Sequence, residues 1–162
     1  MSLHKIALGG GCHWCTEAVF QSLQGVTKVE QGFVASTGND SNFSEAVIVH
    51  FSPNIISLKT LIEVHLHTHK STSNHSMRSK YRSAIYTFST EHVVESEAIL
   101  NELQATFGDT LITKILPFIA FKPSEIQFKN YYYSNPEKPF CTTYISPKLQ
   151  LLKTQFTSFS KH

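Results

Sequence analysis

The chain has 162 residues, of which 41% are hydrophobic and 16% are charged. This length is usual for one domain, and the composition is too apolar for an intrinsically disordered chain. The formal net charge of +2 is too small to favour nucleic acid as a partner. No apolar run reaches the ~18 residues of a membrane span, and residues 1–11 contain no secretory h-region. We therefore expect one cytoplasmic domain over 1–162, without a membrane partner.

Hydrophobic spacing, caps and turn residues predict strands alternating with helices. A polar loop is predicted at 68–80, and the second and third strands are expected to pair as an antiparallel hairpin. The order β-α-β-β-α-β-α-β is typical of a ferredoxin-like split β-α-β core. We therefore expect an α+β two-layer sandwich, with helices packed on one face of a mixed, mainly antiparallel sheet. The predicted strands are 5–9, 26–33, 46–51, 83–88 and 111–116, and the predicted helices are 14–23, one capped by Ser57, one capped by Ser89 or Thr90, a short one around 124–132 and one over 147–159.

Cys12 follows the run Gly9-Gly10-Gly11, where the first strand is predicted to turn into the first helix. Free backbone N–H groups and the positive end of the helix dipole would lower the pKa of a thiol there. This position predicts a nucleophile. The alternative is that Cys12 and Cys15 are buried packing residues, because free cysteine behaves as a small hydrophobic residue.

A zinc site is a further alternative for this segment, with Cys12, His13 and Cys15 as ligands. It would need a distant histidine, and no second close pair of ligands occurs in the sequence. We therefore predict no metal. The four candidate histidines are interpreted as surface or half-buried residues without a role: His65, His67, His69 and His75.

Two other polar groups stand at predicted strand ends. Glu45 precedes the apolar run 46–49, and partial burial by Phe43 and Phe51 would favour the protonated form that a general acid needs. Taken alone, Glu45 is more simply a solvated carboxylate. Tyr81 could bind a polar group or belong to the core.

The third cysteine, Cys141, lies in a proline-flanked stretch predicted to be irregular and flexible. A sulfenic acid on Cys12 would need a second thiol to form a disulfide. Cys141 is the favoured partner, and Cys15, one helical turn from Cys12, is the alternative.

Four sequence motifs occur in order along nearly the whole chain: Gly11-Cys12-His13-Trp14, Ser44-Glu45-Ala46-Val47, the run Lys80 to Tyr86, and Asn135-Pro136 with Phe140-Cys141. Together they resemble the motifs of the A-type methionine sulfoxide reductases, the peptide-methionine (S)-S-oxide reductases. The resemblance implies a two-layer fold with the element order given above. It also implies reduction of the S epimer of methionine sulfoxide, free or in proteins.

The resemblance further implies a role for each matched residue. Cys12 would attack the sulfoxide sulfur, Glu45 would protonate the sulfoxide oxygen, and Tyr81 would help to hold that oxygen. Cys141 would resolve the sulfenic acid as a disulfide for thioredoxin, or dithiothreitol, to reduce. No metal or organic cofactor is implied, and we expect a monomer. The implied substrate pocket is formed by His13, Trp14 and Phe33, with Trp14 on the substrate methyl group.

Several positions depart from the family pattern. His13 replaces a phenylalanine, and the short segment between Phe33 and Glu45 lacks a second oxygen-binding tyrosine. Ser76 stands near the place of an aspartate, and Phe128-Lys129 replaces His-Gln. Two other functions therefore remain open: a Cys-x-x-Cys thiol-disulfide oxidoreductase, and a non-catalytic protein that binds methionine sulfoxide.

Overall fold

The computed structural model describes residues 4–74, 77–78, 80–125 and 129–159. Strands and helices alternate over most of this range, in the predicted order. The strands are β1 His4–Gly9, β2 Val26–Ala35, β3 Ser44–Phe51, β4 Ala84–Thr87, β5 Lys114–Pro117 and β6 Ala120–Pro123. The helices are α1 His13–Gln21, α2 Leu58–His67, α3 Thr90–Gln104, α4 Tyr131–Ser134 and α5 Ser146–Gln155.

The strands form one sheet in the order β5-β4-β1-β3-β2-β6. The β4–β5 pair is parallel and the other pairs are antiparallel. The inner order β4-β1-β3-β2 is that of the predicted ferredoxin-like core, and β2 and β3 pair directly as expected. The central strands β1 and β3 are apolar and largely buried, as expected for strands with a neighbour on each side and layers above and below. The predicted α+β class is confirmed.

The helices share one hydrophobic core with one face of the sheet. Leu8 of β1 and Val47 of β3 pack there with Phe20 of α1, Leu61 of α2 and Leu152 of α5. A smaller cluster on the opposite face includes Ile48 and Tyr86. Alternate residues of β3 thus enter different clusters, as the period of two along a strand requires. No helix in the described ranges is long and apolar enough to cross a membrane.

Two differences from the predicted elements lie near the C-terminus. The edge strand β6 was missing from the sequence prediction because prolines at 117 and 123 favour a turn, although an edge strand tolerates proline. The short helix predicted around 124–132 lies partly outside the described residues, since 126–128 are not described. Ser124 and Glu125 are not helical, and α4 begins only at Tyr131, after Asn130 with a φ of 56°.

Candidate active site

Cys12 lies at the N-cap of α1, directly after the glycine run, as predicted. Its carbonyl accepts the N–H groups of Cys15 and Thr16 at 3.0 and 3.1 Å, which begins the helix. A side chain added at Gly11 would meet nothing within 4 Å, so the approach beside Cys12 is open. Cys12 is partly exposed, whereas Cys15 and Cys141 are buried. Cys12 is therefore the thiol that a substrate can reach.

Glu45 is the second residue of β3 and is only 6% exposed. Its Oε1 accepts the backbone N–H of His13 at 3.1 Å, so the carboxyl is tied to the residue that follows Cys12. Lys80 Nζ lies 3.7 Å from Oε2. Of the two residues expected to cover Glu45, Phe51 is buried, whereas Phe43 is 46% exposed. Glu45 is buried at the junction of β3 and the start of α1 instead.

The electrostatics of the two neighbouring thiols differ from the prediction. A hydrogen bond with Cys15 raises the pKa of Cys12, and burial raises it further. The same hydrogen bond lowers the pKa of Cys15. The expected lowering at Cys12 is therefore wrong for the resting structure, because the bond between the sulfurs outweighs the helix terminus. The hydrogen bond thus favours ionisation of Cys15 over that of Cys12.

The three predicted pocket residues lie together. His13, Trp14 and Phe33 line one cleft of about 390 Å³ with residues 122–125. The His13 ring meets the edge of Phe33 with 5.0 Å between centroids. Trp14 and Phe33 give the cleft apolar surface, and Lys122, the partner of Phe33 in the β2–β6 pair, and Glu125 give it polar groups.

The C-terminal segment covers the other side of Trp14. Tyr131 stacks on Trp14 with a centroid distance of 4.2 Å, and Phe140 meets the indole edge-on at 5.2 Å. The buried carboxylate of Glu17 in α1 accepts the N–H groups of Asn130 and Tyr131 at 2.8 and 3.0 Å. Sequence analysis missed these contacts. A carboxylate among the apolar positions of α1 and the triple tyrosine at 131–133 were the available signals.

Cys141 does not lie on an irregular loop, so that prediction is wrong. It begins a turn of π-helix, Cys141–Ile145, that leads directly into α5. Its side chain is fully buried with Cys15 and Ala18, and Cys12 packs against the same cluster. Burial raises the pKa of the Cys141 thiol. The structure thus gathers all three cysteines around the first turn of α1.

Tyr81 lies on the other side of the glycine run from the Trp14 cleft. It lines a separate cleft of about 540 Å³ with Gly10, Gly11 and other residues. Its ring lies 5.1 Å from Lys80 Nζ, which links it to Glu45. The described structure places Tyr81 in a different cleft from the three pocket residues. Arg78 fixes this region because its guanidinium donates to the carbonyls of Gly10 and Tyr81, both at 2.8 Å.

The interpretation of the histidines as residues without a role is wrong for two of them. His65 is 2% exposed and its Nε2 donates to the carbonyl of Gly9 at 2.7 Å. Burial lowers the pKa of His65 to about 4. His69 bonds the His65 carbonyl through Nδ1 and Ser83 Oγ through Nε2. Both rings therefore pack against the glycine run, at Gly9 and Gly10. Their hydrogen-bonded nitrogens are not free for a metal.

The zinc alternative also conflicts with His13. Its Nδ1 donates to the carbonyl of Gly32 at 2.7 Å, and its Nε2 faces Glu45. Within the described ranges, no three His, Cys, Asp or Glu side chains are grouped to hold a metal ion. His75 and two positions that depart from the family pattern, Ser76 and Phe128, lie outside the described residues.

Comparison with known proteins is in line with this geometry. The family profile described as peptide methionine sulfoxide reductase matches residues 4–160. This chain belongs to that family. Peptide methionine sulfoxide reductase MsrA of Deinococcus radiodurans is 35% identical, over 91% of this chain and 79% of that protein. MsrA of Thermus thermophilus is 33% identical, over 93% of this chain and 94% of that protein.

The fold is also that of a solved family structure. The reduced form of Mxr1 from Saccharomyces cerevisiae aligns with a TM-score of 0.77 and 24% identity. The alignment covers 88% of this chain and 91% of that one. At this identity the likeness concerns the fold alone. The predicted family membership is thus confirmed by sequence, and the predicted fold by structure.

Proposed function

We propose that this chain, acting as a monomer, reduces the S epimer of methionine sulfoxide, free or in proteins, to methionine. Beside the family membership, one structural observation is the main support for this proposal. The accessible thiol, Cys12, stands next to a residue whose backbone N–H holds the buried carboxyl of Glu45 at 3.1 Å. A nucleophile and an acid are thereby fixed at one helix start.

The first half-reaction requires a thiolate and a proton. Cys12 gives up its proton, and its sulfur attacks the sulfoxide sulfur. Glu45 gives a proton to the sulfoxide oxygen, so the sulfur–oxygen bond of the substrate breaks without expelling an oxide ion. The hydroxyl group so formed moves to the Cys12 sulfur as the transient bond between the two sulfurs breaks, which gives methionine and the sulfenic acid of Cys12. The electron pair of that bond stays on the methionine sulfur, so Cys12 is oxidised by two electrons and the substrate is reduced by two.

The second half-reaction uses another thiol of the cluster. Attack by Cys141 on the Cys12 sulfenic acid forms a disulfide and releases water, and the thioredoxin dithiol then reduces the disulfide. Cys141 is buried in a helical turn of the cluster against which Cys12 packs, and the two sulfurs must meet disulfide geometry. Cys15 is the alternative resolving residue. No step needs a metal or an organic cofactor.

Binding is assigned to the cleft of His13, Trp14 and Phe33. The aromatic surfaces of Trp14 and Phe33 suit the substrate methyl group, because burial of apolar area favours such a contact. The stacked ring of Tyr131 holds the indole in place. We propose that Tyr81 holds the sulfoxide oxygen, and its place in one cleft with Gly10 and Gly11, which directly precede Cys12, supports this role.

Reduction of the separate R and S epimers of a methionine sulfoxide peptide with dithiothreitol tests the proposal. We expect turnover of the S epimer only, its loss in Cys12→Ser and a large decrease in Glu45→Gln. Peptide mapping after one turnover without reductant identifies the disulfide partner. Binding of the peptide without product would favour the non-catalytic alternative and contradict the proposal.

The hydrogen bond between Cys12 and Cys15 favours one second candidate, thiol-disulfide exchange. Exchange requires that the exposed thiol of the pair be the ionised one. The pKa shifts speak against this candidate, because the lowered pKa belongs to the buried Cys15 and the raised pKa to the partly exposed Cys12. This candidate predicts that Cys15→Ser abolishes reduction of a disulfide substrate while Cys141→Ser does not.

A further inference from the structure

His13 and Glu45 form a pair that sequence analysis did not anticipate. The Nε2 atom of His13 lies 3.5 Å from Oε1 of Glu45, and both side chains are only 8% exposed. The other ring nitrogen, Nδ1, lies 2.7 Å from the carbonyl oxygen of Gly32. The backbone N–H of His13 contacts the same Oε1 atom. The imidazole is thus fixed between β2 and β3.

These contacts determine the protons of the ring. A carbonyl oxygen only accepts hydrogen bonds, so Nδ1 must carry a hydrogen. If the ring were neutral and Glu45 ionised, the lone pair of Nε2 would face a carboxylate oxygen. A proton between the two atoms removes that repulsion. It belongs to the imidazolium in one form and to the carboxylic acid in the other, so the pair contains the same proton in both.

We propose that His13 supplies, through Glu45, the proton that the sulfoxide oxygen receives. The proton passes from Nε2 to the Glu45 carboxylate, and the carboxylic acid so formed gives one proton to the substrate oxygen. His13 becomes neutral, the oxygen leaves on Cys12 as a sulfenic acid, and solvent returns the proton to the ring. This inference rests on the proposed function, and it makes His13 a positioning and proton-supplying residue that acts through Glu45.

The neighbours of Glu45 explain why a second proton holder is useful. The backbone N–H of His13 and the Lys80 ammonium both interact more strongly with a carboxylate than with a carboxylic acid. A carboxylate without a paired donor has no proton for the substrate. The imidazole, which titrates near neutral pH in its unperturbed state, provides one.

Other ionisable groups surround the pair, and any pH profile contains their contributions. Three of these groups lie at the start of α1 or within it, one lies in the loop before β4, and two line the cleft from β6 and the segment after it. In that order they are Cys12, Cys15, Glu17, Lys80, Lys122 and Glu125.

The first test needs no enzyme activity. Nitrogen-15 NMR of the histidine rings follows the protonation of His13 against pH in the full chain and in Glu45→Gln. We expect a lower midpoint in Glu45→Gln, because the charge of the partner is gone. Equal midpoints would overturn the inference, and so would an Nδ1 atom that carries no hydrogen.

The second test measures the rate of methionine formation in a single turnover between pH 5 and pH 9. His13→Phe keeps an aromatic ring against Phe33 and removes both nitrogens. We expect its rate to match that of the native chain at pH 5 and to be about tenfold lower at pH 8. The rate of Cys12 alkylation over the same pH range measures the ionisation of the thiol, so that its contribution to the pH profile can be separated from that of His13. Profiles of the same shape in both proteins would overturn the inference.

The chain offers a matched control. His50 also pairs with a glutamate, its Nε2 lying 2.7 Å from Oε2 of Glu30, on the same two strands but away from Cys12. His50→Phe should keep the native pH profile. If the native chain forms no methionine at any pH, the proposed function fails. The NMR result then still shows whether Glu45 affects the protonation of His13. If it does not, the inference is overturned whether or not the chain is active.

Discussion

The two halves of the proposed reaction depend on regions that are held in place differently. Glu45 stands on strand β3, and Cys12 stands at the start of α1, after the glycine run that ends β1. Strand β1 pairs with β3 and β4, and the buried His65 supports the glycine run. Cys141 stands in the segment 129–159, which has no strand in the part that the structure describes. This segment is held by helix packing, by its hydrogen bonds to the Glu17 carboxylate and by the stacking of Tyr131 on Trp14. The proposed nucleophile and acid are thus held beside paired strands, whereas the proposed resolving thiol is held by helix packing and side-chain contacts.

The sharpest way to separate the regions is Cys141→Ser. We expect loss of thioredoxin-dependent turnover, because the sulfenic acid has lost its partner, whereas the first turnover stays within about twofold of the native rate. Steady-state and single-turnover assays with the same peptide measure the two effects. Turnover supported by dithiothreitol is the control for folding. Undiminished thioredoxin-dependent turnover would assign resolution to Cys15.

Glu45→Gln should act on the sheet-held region alone. The amide keeps the acceptor for the His13 N–H but has no proton to give, so we expect the single-turnover rate to fall by about 10²- to 10⁴-fold. The Cys12 sulfenic acid, once generated by peroxide, should still form its disulfide at the native rate. A decrease of less than about threefold would contradict the assigned role of general acid.

Glu17→Ala should loosen the C-terminal segment. It leaves the buried N–H groups of Asn130 and Tyr131 and the Gln31 amide without their acceptor, and we expect a loss of about 2–4 kcal/mol in the free energy of unfolding. Denaturant unfolding measures this loss, and proteolysis should cut first within 129–159. Glu30→Ala on β2 is the control, expected to cost under about 1 kcal/mol because its His50 contact is partly exposed. Equal costs would remove the distinction between the regions.

The smallest effect is expected for Gly10→Ala, which tests the support of the glycine run. An added Cβ would lie 2.4 Å from the His69 ring, whose two nitrogens are both hydrogen-bonded. We expect a cost of about 1–3 kcal/mol, since the ring cannot rotate away freely. Gly11→Ala meets nothing within 4 Å and should stay within about 0.5 kcal/mol of the native chain. Thermal unfolding of the two variants gives the comparison, and equal values would contradict the packing argument.

Local patterns predicted the sheet-held region well. Ser57 and Ser89 cap α2 and α3 as expected, through bonds to the N–H groups of Thr60 and His92. Alternating apolar residues placed β2 and β3 side by side, which put Glu45 at the correct end of its strand. Caps and periodicity are local, so a sequence contains them directly.

Patterns failed where distant segments meet. Cys141 is helical and buried rather than loose, because Phe140 and Tyr131 pack onto Trp14, 126 and 117 positions earlier in the chain. The second failure is local: the pKa of Cys12 is raised because Cys15, three residues later, bonds to it across the first helical turn. The prediction weighed the helix dipole without that bond.

The sequence alone determined the element order, the ferredoxin-like core, the membership of the family and the position of Cys12 at a helix start, since each follows from spacing over a few residues or from matched motifs. Only the tertiary structure decided which groups share protons and which thiols meet. Hydrogen bonds and ionisation depend on distances of a few ångströms between residues far apart in the chain. His13 and Glu45, 32 positions apart, acquire their pairing from the fold.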